Sequence, residues 1–309
     1  MSQLKHGLKI GVIGLGAMGK GTALALHERG LDVVGCDITE QARQAFAAGG
    51  GRSVALPSRL AECHVVVVLV VNAHQVESVL FGEQGVAWHL APGSLVIQCA
   101  TVAPAFAREL GARLGGLGLS MLDAPVSGGA AKARSGELSV MASGDHGAFE
   151  KAEPVLEAMA TTVYRLGESA GVGSSMKLVN QLLAGVHIAT AAEAMALGIR
   201  LGLDPETVYE VITHSAGNSW MFENRVPHIL KGDYTPLSAV DIFVKDLNLV
   251  HETGRDLALP TPVASSALQQ FTAARGAGFG REDDAAVIKV YQRLSGIDLP
   301  AAANDPQGA

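Results

Sequence analysis

Apolar residues recur along the chain with two different periods, and the change from one to the other falls close to residue 168. Up to about residue 167 the runs "LKIGVIG", "DVVGCD", "HVVVVLVV", "GSLVIQCAT", "SMLDAPV", "ELSVMAS" and "TTVYRLG" are short and rich in Val, Ile and Leu. Runs of this kind, bounded by glycine or polar turns, predict strands buried on both faces. Helical patterns separate most of them: "AMGKGTALALHERG" ends at Gly30, and another helix is predicted from Thr39 to about Ala48. The alternation predicts a parallel sheet with helices on both faces.

Beyond Ser169 the strand signal stops. "GSSMKLVNQLLAGVHIATAAEAMALGIRLG" is one long helical pattern without proline, ending near Gly202. "LDPETVYEVITHS" starts the next helix, with Asp204 as N-cap and Pro205 at the first helical position. Further helical patterns cover about 237–256, 261–275 and 282–295. The expected organisation is an α/β domain over 1–167 and an all-α domain over 168–299, joined by the long helix, with a disordered tail at 300–309.

Composition narrows the class. Of 309 residues, 48% are hydrophobic and 17% charged, enough for a large core, and the net charge of -7 argues against a nucleic-acid partner. The apolar stretch "VVVVLVV" at 65–71 is too short to cross a bilayer. The N-terminal "MSQLKHGLKIGVIGLGAMG" is broken by glycines, unlike a signal peptide. Cys36, Cys63 and Cys99 form no C-x-x-C pair and read as reduced thiols. The expectation is a soluble cytoplasmic protein with no membrane partner. Its histidines show no ligand spacing, so no metal is expected.

With 37 glycines in the chain, a bare G-x-G-x-x-G is a weak signal. Context strengthens "GLGAMG", because it follows the first strand and opens a helix. Gly14 allows the tight turn, Gly16 lets a pyrophosphate approach the backbone, and Gly19 permits close helix–strand packing. The loop Gly14, Leu15, Gly16, Ala17, Met18 and Gly19 is therefore a candidate phosphate cradle at the positive end of a helix. The next strand ends at Asp37, where a carboxylate can accept from both ribose hydroxyls and repel a 2′-phosphate. Ile38 and Thr39 offer no arginine in compensation, so NAD is favoured over NADP.

Two further stretches carry candidate chemistry. In "DAPVSGGAAKARSGEL", 123–138, Ser127, Gly128 and Gly129 follow a strand; they either bind a carboxylate through backbone N–H groups and the hydroxyl, or form an ordinary tight turn. "GVGSSMKLVNQ", 171–181, leads into the long helix with Lys177, Asn180 and Gln181. Lys177 is either a solvated charge, as most lysines are, or a proton carrier. Its neighbours Met176, Leu178 and Val179 are apolar, and Lys177, Asn180, Gln181 and Ala184 share one helix face.

"GLGAMG", "DAPVSGGAAKARSGEL", "GVGSSMKLVNQ" and "VKDL", in this order and spacing, resemble the β-hydroxyacid dehydrogenase family, which contains 3-hydroxyisobutyrate dehydrogenases and tartronate semialdehyde reductases. The similarity covers residues 8–295. "LLAGVHIATAAEAMAL" and "AGNSWMFENRVPHILKGDYTPLSAVDIFVKDL" are similar to its L-threonate dehydrogenase branch, whose members act on four-carbon polyhydroxy acids with NAD. The resemblance implies a Rossmann domain, a helical domain that builds dimers or tetramers, and catalysis by Lys177. It implies that Ser127 and Gly128 hold the substrate carboxylate, and that Val70, Val71, Asn72, Gln75, Thr101 and Lys245 lie near the cofactor. Gln181 stands where many members carry asparagine, and its extra methylene predicts a different geometry toward substrate hydroxyls. "LVVN" likewise replaces a common Leu-Pro.

On this reading Lys177 accepts the hydroxyl proton during oxidation. A free lysine has a pKa of about 10.4, so burial has to lower it toward about 7–8 for that task. Asn218 and Trp220 either reach substrate hydroxyls or pack, and Asp246 either orients Lys245 or forms a helix-surface pair with it. The competing readings are the same chemistry on 3-hydroxyisobutyrate or tartronate semialdehyde, and a non-catalytic NAD-sensing module.

Overall fold

The structure, a computed structural model, describes residues 7–301. From residue 302 onward the disordered tail expected at 300–309 lies outside the described residues. The chain separates into two compact units between Lys177 and Leu178.

The first unit runs β1 (Lys9–Ile13), α1 (Ala17–Glu28), β2 (Asp32–Cys36), α2 (Glu40–Ala47), β3 (Arg52–Val54), β4 (Val65–Val68) and α3 (Ala73–Phe81). It continues with β5 (Leu95–Gln98), α4 (Pro104–Gly116), β6 (Ser120–Asp123), β7 (Val126–Ser127), α5 (Gly129–Ser135), β8 (Leu138–Ser143), α6 (His146–Met159) and β9 (Ala160–Gly167). Its nine-stranded sheet has the order β3-β2-β1-β4-β5-β6-β8-β7, with β9 on β8. All four residues of β4 and of β5 are buried. Val65 and Val67 enter one core with Leu95 and Ile97, whereas Val66, Val68 and Val96 enter another. That two-residue alternation, apolar on both sides, is why these strands read as continuous hydrophobic runs.

The parallel arrangement holds from β3 through β6, and then the sheet departs from the expectation. β8 runs antiparallel to β6 and to β7, and β9 is parallel to β8. "SMLDAPV", expected as one strand, divides: β6 stops at Asp123, and the Pro125 carbonyl accepts from Met141 N at 2.9 Å before β7 begins. β3 and β7 escaped the sequence pattern because they have three and two residues.

Helix α7 (Val172–Arg200) begins in the first unit, and the second continues with α8 (Pro205–Thr213), α9 (Trp220–Lys231), α10 (Val240–Asp256), α11 (Pro262–Ala274) and α12 (Ile288–Ser295). By length and composition α7 would span a membrane, yet half of its most apolar window is buried within the protein. Ala184, Ile188, Ala192 and Met195 of α7 join Phe222, Phe243 and Phe271 in the second unit's core. Asp204 caps α8 as expected, accepting from Thr207 N at 2.8 Å.

α9 was not predicted, because it carries Pro227. Proline cannot donate to the carbonyl four residues back. Here that carbonyl, of Glu223, accepts from the Tyr209 hydroxyl at 3.2 Å, so the helix tolerates the break.

α9 is also tied to the segment before α12 by a buried ion pair. Arg225 donates to both Asp284 oxygens, at 2.5 and 3.1 Å, and Asp284 is fully buried. Burial pushes the Asp284 carboxyl up to about 6, against the pull of Arg225. The folded state therefore binds this proton more readily than the unfolded chain, and ionising Asp284 costs stability as pH rises toward 6 and above. Removing Arg225 leaves the carboxylate uncompensated. Arg225→Ala is expected to destabilise the protein by about 3–5 kcal/mol in denaturant titrations at pH 8, and by clearly less at pH 5. An equal loss at both values would show that the pair carries no such charge penalty.

Candidate active site

The parallel register aligns five strand ends in one row. Cys36 pairs with Ile13, Ile13 with Val68, Val68 with Gln98, and Gln98 with Asp123. The segments that follow these strands therefore leave the sheet along one edge, across the switch point between β1 and β4 where the strand order reverses. That edge collects candidate residues more than a hundred positions apart in sequence, from Gly14 to Ser127.

The three glycines of "GLGAMG" meet different surroundings. Gly14 adopts φ +91°, and a Cβ there would lie 2.7 Å from the Leu69 carbonyl oxygen. A Cβ on Gly19 would lie 1.7 Å from the Gly14 carbonyl oxygen. At Gly16 a Cβ would meet nothing within 4 Å, and Gly16 caps α1 without a side chain. The open backbone at Gly16 and the first turn of α1, which includes Ala17, Met18 and Gly19, fit a pyrophosphate.

Asp37 braces this loop, accepting from Leu15 N and from Thr39 N, both at 2.8 Å. Each oxygen keeps further acceptor capacity for a ribose hydroxyl. No local motif marks Arg43, which α2 carries back to the strand end. It donates to the carbonyls of Asp37 and Ile38 at 2.7 and 3.0 Å.

The next two strand ends are shaped by local amide bonds. Asn72 caps α3, accepting from Gln75 N at 2.9 Å, while Gln75 Oε1 accepts from Val71 N at 2.8 Å. This reciprocal cap sets the path of Val70 and Val71 after β4. Gln98 is fully buried and staples the turn before Thr101, accepting from Ala100 N at 2.6 Å and donating to Ala100 O at 2.9 Å. Nothing in the local sequence marks Gln98 for this role.

Ser127 closes β7, and Gly128 and Gly129 follow with φ +133° and +77°. Two successive left-handed residues demand glycine. A Cβ on Gly129 would meet nothing within 4 Å. Beside this turn lies Lys177, only 7% exposed, whose Nζ donates to Val126 O at 2.7 Å. The solvated-charge reading of Lys177 is therefore excluded.

What places Lys177 is the first turn of α7. Asp123 Oδ2 accepts from Gly171 N at 2.8 Å and Ser174 N at 2.9 Å, and its Oδ1 accepts from Ser174 Oγ at 2.7 Å. Gly173 N donates to Ser143 Oγ at 2.9 Å. Burial pushes the Asp123 carboxyl above the usual range, while its hydrogen bonds to Ser174, Gly171 and Ser143 pull it down. Gly171 has φ +96°, and a Cβ on Gly173 would lie 2.4 Å from the Met141 carbonyl oxygen. The glycines of "GVGSSMK" thus let the helix start directly on the ends of β6 and β8.

In the second unit, Asn180 Nδ2 donates to Gln181 Oε1 at 2.9 Å, and Gln181 Nε2 donates to Asp246 Oδ2 at 2.5 Å. Asp246 also pairs with Lys245. Asp246 is 1% exposed, which rules out a surface pair. Asn218 Nδ2 bonds Thr213 O and Glu223 Oε1, so that amide group braces its own loop, while Trp220 opens α9 half exposed. A separate cleft of about 470 Å³, lined by Leu8, Val65 and Ser94 among others, lies toward the start of the strands and contains none of these groups.

Residues 9–167 match the family described as the NAD binding domain of 6-phosphogluconate dehydrogenase, and residues 171–291 match that described as NAD-binding of NADP-dependent 3-hydroxyisobutyrate dehydrogenase. An L-threonate dehydrogenase of Cupriavidus necator is 60% identical over 295 residues, spanning 95% of this chain and 98% of that protein. A crystal structure described as 3-hydroxyisobutyrate dehydrogenase from Salmonella typhimurium is 52% identical with a TM-score of 0.87, covering 92% of this chain and 99% of its own. A 3-hydroxyisobutyrate dehydrogenase of Mycobacterium tuberculosis, with L-serine, is 30% identical with a TM-score of 0.79, covering 91% and 98%. Similarity of this extent, running through both units, shows that the chain belongs to the 3-hydroxyisobutyrate dehydrogenase family of NAD-dependent hydroxyacid dehydrogenases.

Proposed function

We propose that the enzyme oxidises L-threonate to 2-dehydro-L-erythronate with NAD as acceptor, and that Lys177 carries the proton. The observation that carries this reading is the buried Lys177 amine held 2.7 Å from Val126 O, beside Ser127 and the two left-handed glycines. Identity of 51–60% to five L-threonate dehydrogenases supports the substrate.

Bound NAD supplies the acceptor for the hydride that leaves the substrate carbon. Asp37 takes the ribose hydroxyls, and the glycine loop from Gly14 to Gly19 takes the pyrophosphate. Val70, Val71, Asn72, Gln75, Thr101 and Lys245 complete the cofactor's surroundings. On the substrate side, Ser127, Gly128 and Gly129 hold the carboxylate. Lys177 removes the hydroxyl proton as the carbon is oxidised and returns it in the reverse direction. Asn180 and Gln181, three and four residues further along α7, take the remaining hydroxyls.

A second reading, 3-hydroxyisobutyrate as substrate, is favoured by the Salmonella typhimurium structure described under that activity. The polar pair Asn180–Gln181 suits a polyhydroxy acid better than a methyl-bearing one. We also propose a homodimer or homotetramer, supported by Val179, Leu183 and Leu197, all apolar and exposed along α7, and by exposed Leu201 just past its end. A cytoplasmic location is supported by the three buried cysteines being free, since disulfides are rare in that compartment.

With L-threonate, 3-hydroxyisobutyrate and reduced tartronate semialdehyde as a panel, NADH formation is expected to be fastest by kcat/KM on L-threonate. A higher value on 3-hydroxyisobutyrate would install the second reading, and NAD binding with no turnover on any compound would favour a sensor. Lys177→Ala should lower kcat about 10²–10⁴-fold while NAD binding, followed by calorimetry, stays within about twofold. Retention of a large share of wild-type kcat would remove Lys177 from the mechanism. Asp37→Ser should cut kcat/KM with NAD about tenfold and narrow the preference over NADP; an unchanged ratio of the two cofactors would rule out the ribose role. Light scattering should report more than one copy for the wild type and a smaller assembly for Leu183→Glu, whereas a monomeric wild type would exclude the oligomer.

A further inference from the structure

Gln181 and Asp246 are 65 positions apart, yet their side chains meet at 2.5 Å in the interior of the second unit. A carboxylate has only acceptors, so the contact decides which end of the glutamine amide faces Asp246: Nε2 points to it and Oε1 is turned away. Asn180 Nδ2 then donates to Oε1 at 2.9 Å. The chain Asp246–Gln181–Asn180 has one direction, set at its carboxylate end.

The backbone allows this contact through a glycine. Gly185 stands one turn beyond Gln181 on α7, and a Cβ there would lie 2.9 Å from Leu247 Cδ2, the residue after Asp246. α7 and α10 therefore approach closely at the level where the amide and the carboxylate meet. Gln181 is 7% exposed and Asp246 1%, so solvent does not compete strongly for the bond.

We infer that Asp246 is a positioning residue that sets substrate specificity by locking the Gln181 amide in one orientation toward the hydroxyls of a polyhydroxy acid. The inference rests on the reading of Asn180 and Gln181 as hydroxyl ligands given under Proposed function. After the lock, Gln181 keeps one N–H and one lone pair of Oε1, and Asn180 keeps its Oδ1. A hydroxyl both donates and accepts, so it matches such a set. A methyl group matches neither and strands the buried amide groups without partners. Sites built to bond a hydroxyl reject the analogue lacking it for this reason.

The test is the ratio of kcat/KM for L-threonate to kcat/KM for 3-hydroxyisobutyrate, measured on wild type, Asp246→Asn and Gln181→Asn. Because both substrates are read on one preparation, the ratio does not depend on the folded fraction. Asp246→Asn can donate from one end and so permits either orientation of Gln181, while Gln181→Asn is one methylene too short to keep the link. Each variant is expected to lower the ratio about tenfold, mainly through KM for L-threonate. Asp246→Asn in the Gln181→Asn background should add less than about twofold, since coupled residues are not additive. A ratio that survives in both single variants, or independent effects in the double variant, would overturn the inference while leaving the proposed reaction standing. A wild type without preference for L-threonate would overturn the proposed reaction and this inference with it.

Discussion

The carboxylate of Asp123 is the interaction on which the rest of the candidate site depends. It sits at the C-terminal end of β6, fully buried, and receives the N–H of Gly171, just before α7, and the N–H and hydroxyl of Ser174 in its first turn. A buried carboxylate is tolerated only when its acceptors are filled, and a helix start has orphan N–H groups to fill them. Each solves the other's problem. One turn later the helix delivers Lys177 to the Val126 carbonyl, on the segment that leaves the same strand.

The sheet supplies the second constraint. Because β2, β1, β4, β5 and β6 end in register, five loops from distant parts of the chain share one edge. Short polar side chains then fix each loop: Asp37 holds Leu15, Asn72 and Gln75 cap α3, and Gln98 staples the turn toward Thr101. These bonds are local and mostly to backbone. They hold the loop conformations before any ligand arrives, which keeps the ordering cost of binding small.

The same distinction explains what could be read in the sequence. The valine run of β4 and the long apolar pattern of α7 announced themselves, since burial on both faces or along a helix leaves a periodic trace. β7 left none, because two residues carry no period, and α9 was hidden by Pro227, whose lost bond is replaced by Tyr209 from another helix. The glycine loop, Asp37 and Lys177 are legible as candidates because each belongs to a local motif. Arg43 sits one helical turn beyond the residues adjacent to Asp37, and the partners of Gln181 and Asp246 lie far apart in sequence. Such contacts exist only once the helices pack. Burial of Asp246 excludes a surface pair with Lys245, which sequence spacing leaves open.

The central claim is that Lys177, delivered by α7, handles the proton of the substrate hydroxyl. A crystal structure of the enzyme with NADH and L-threonate bound together as a dead-end complex tests it most directly. Lys177 Nζ is expected within about 3 Å of the hydroxyl on the reacting carbon, with the carboxylate at Ser127 and Gly128. A substrate hydroxyl bound to another side chain, with Lys177 Nζ more than about 4 Å from it, would contradict it.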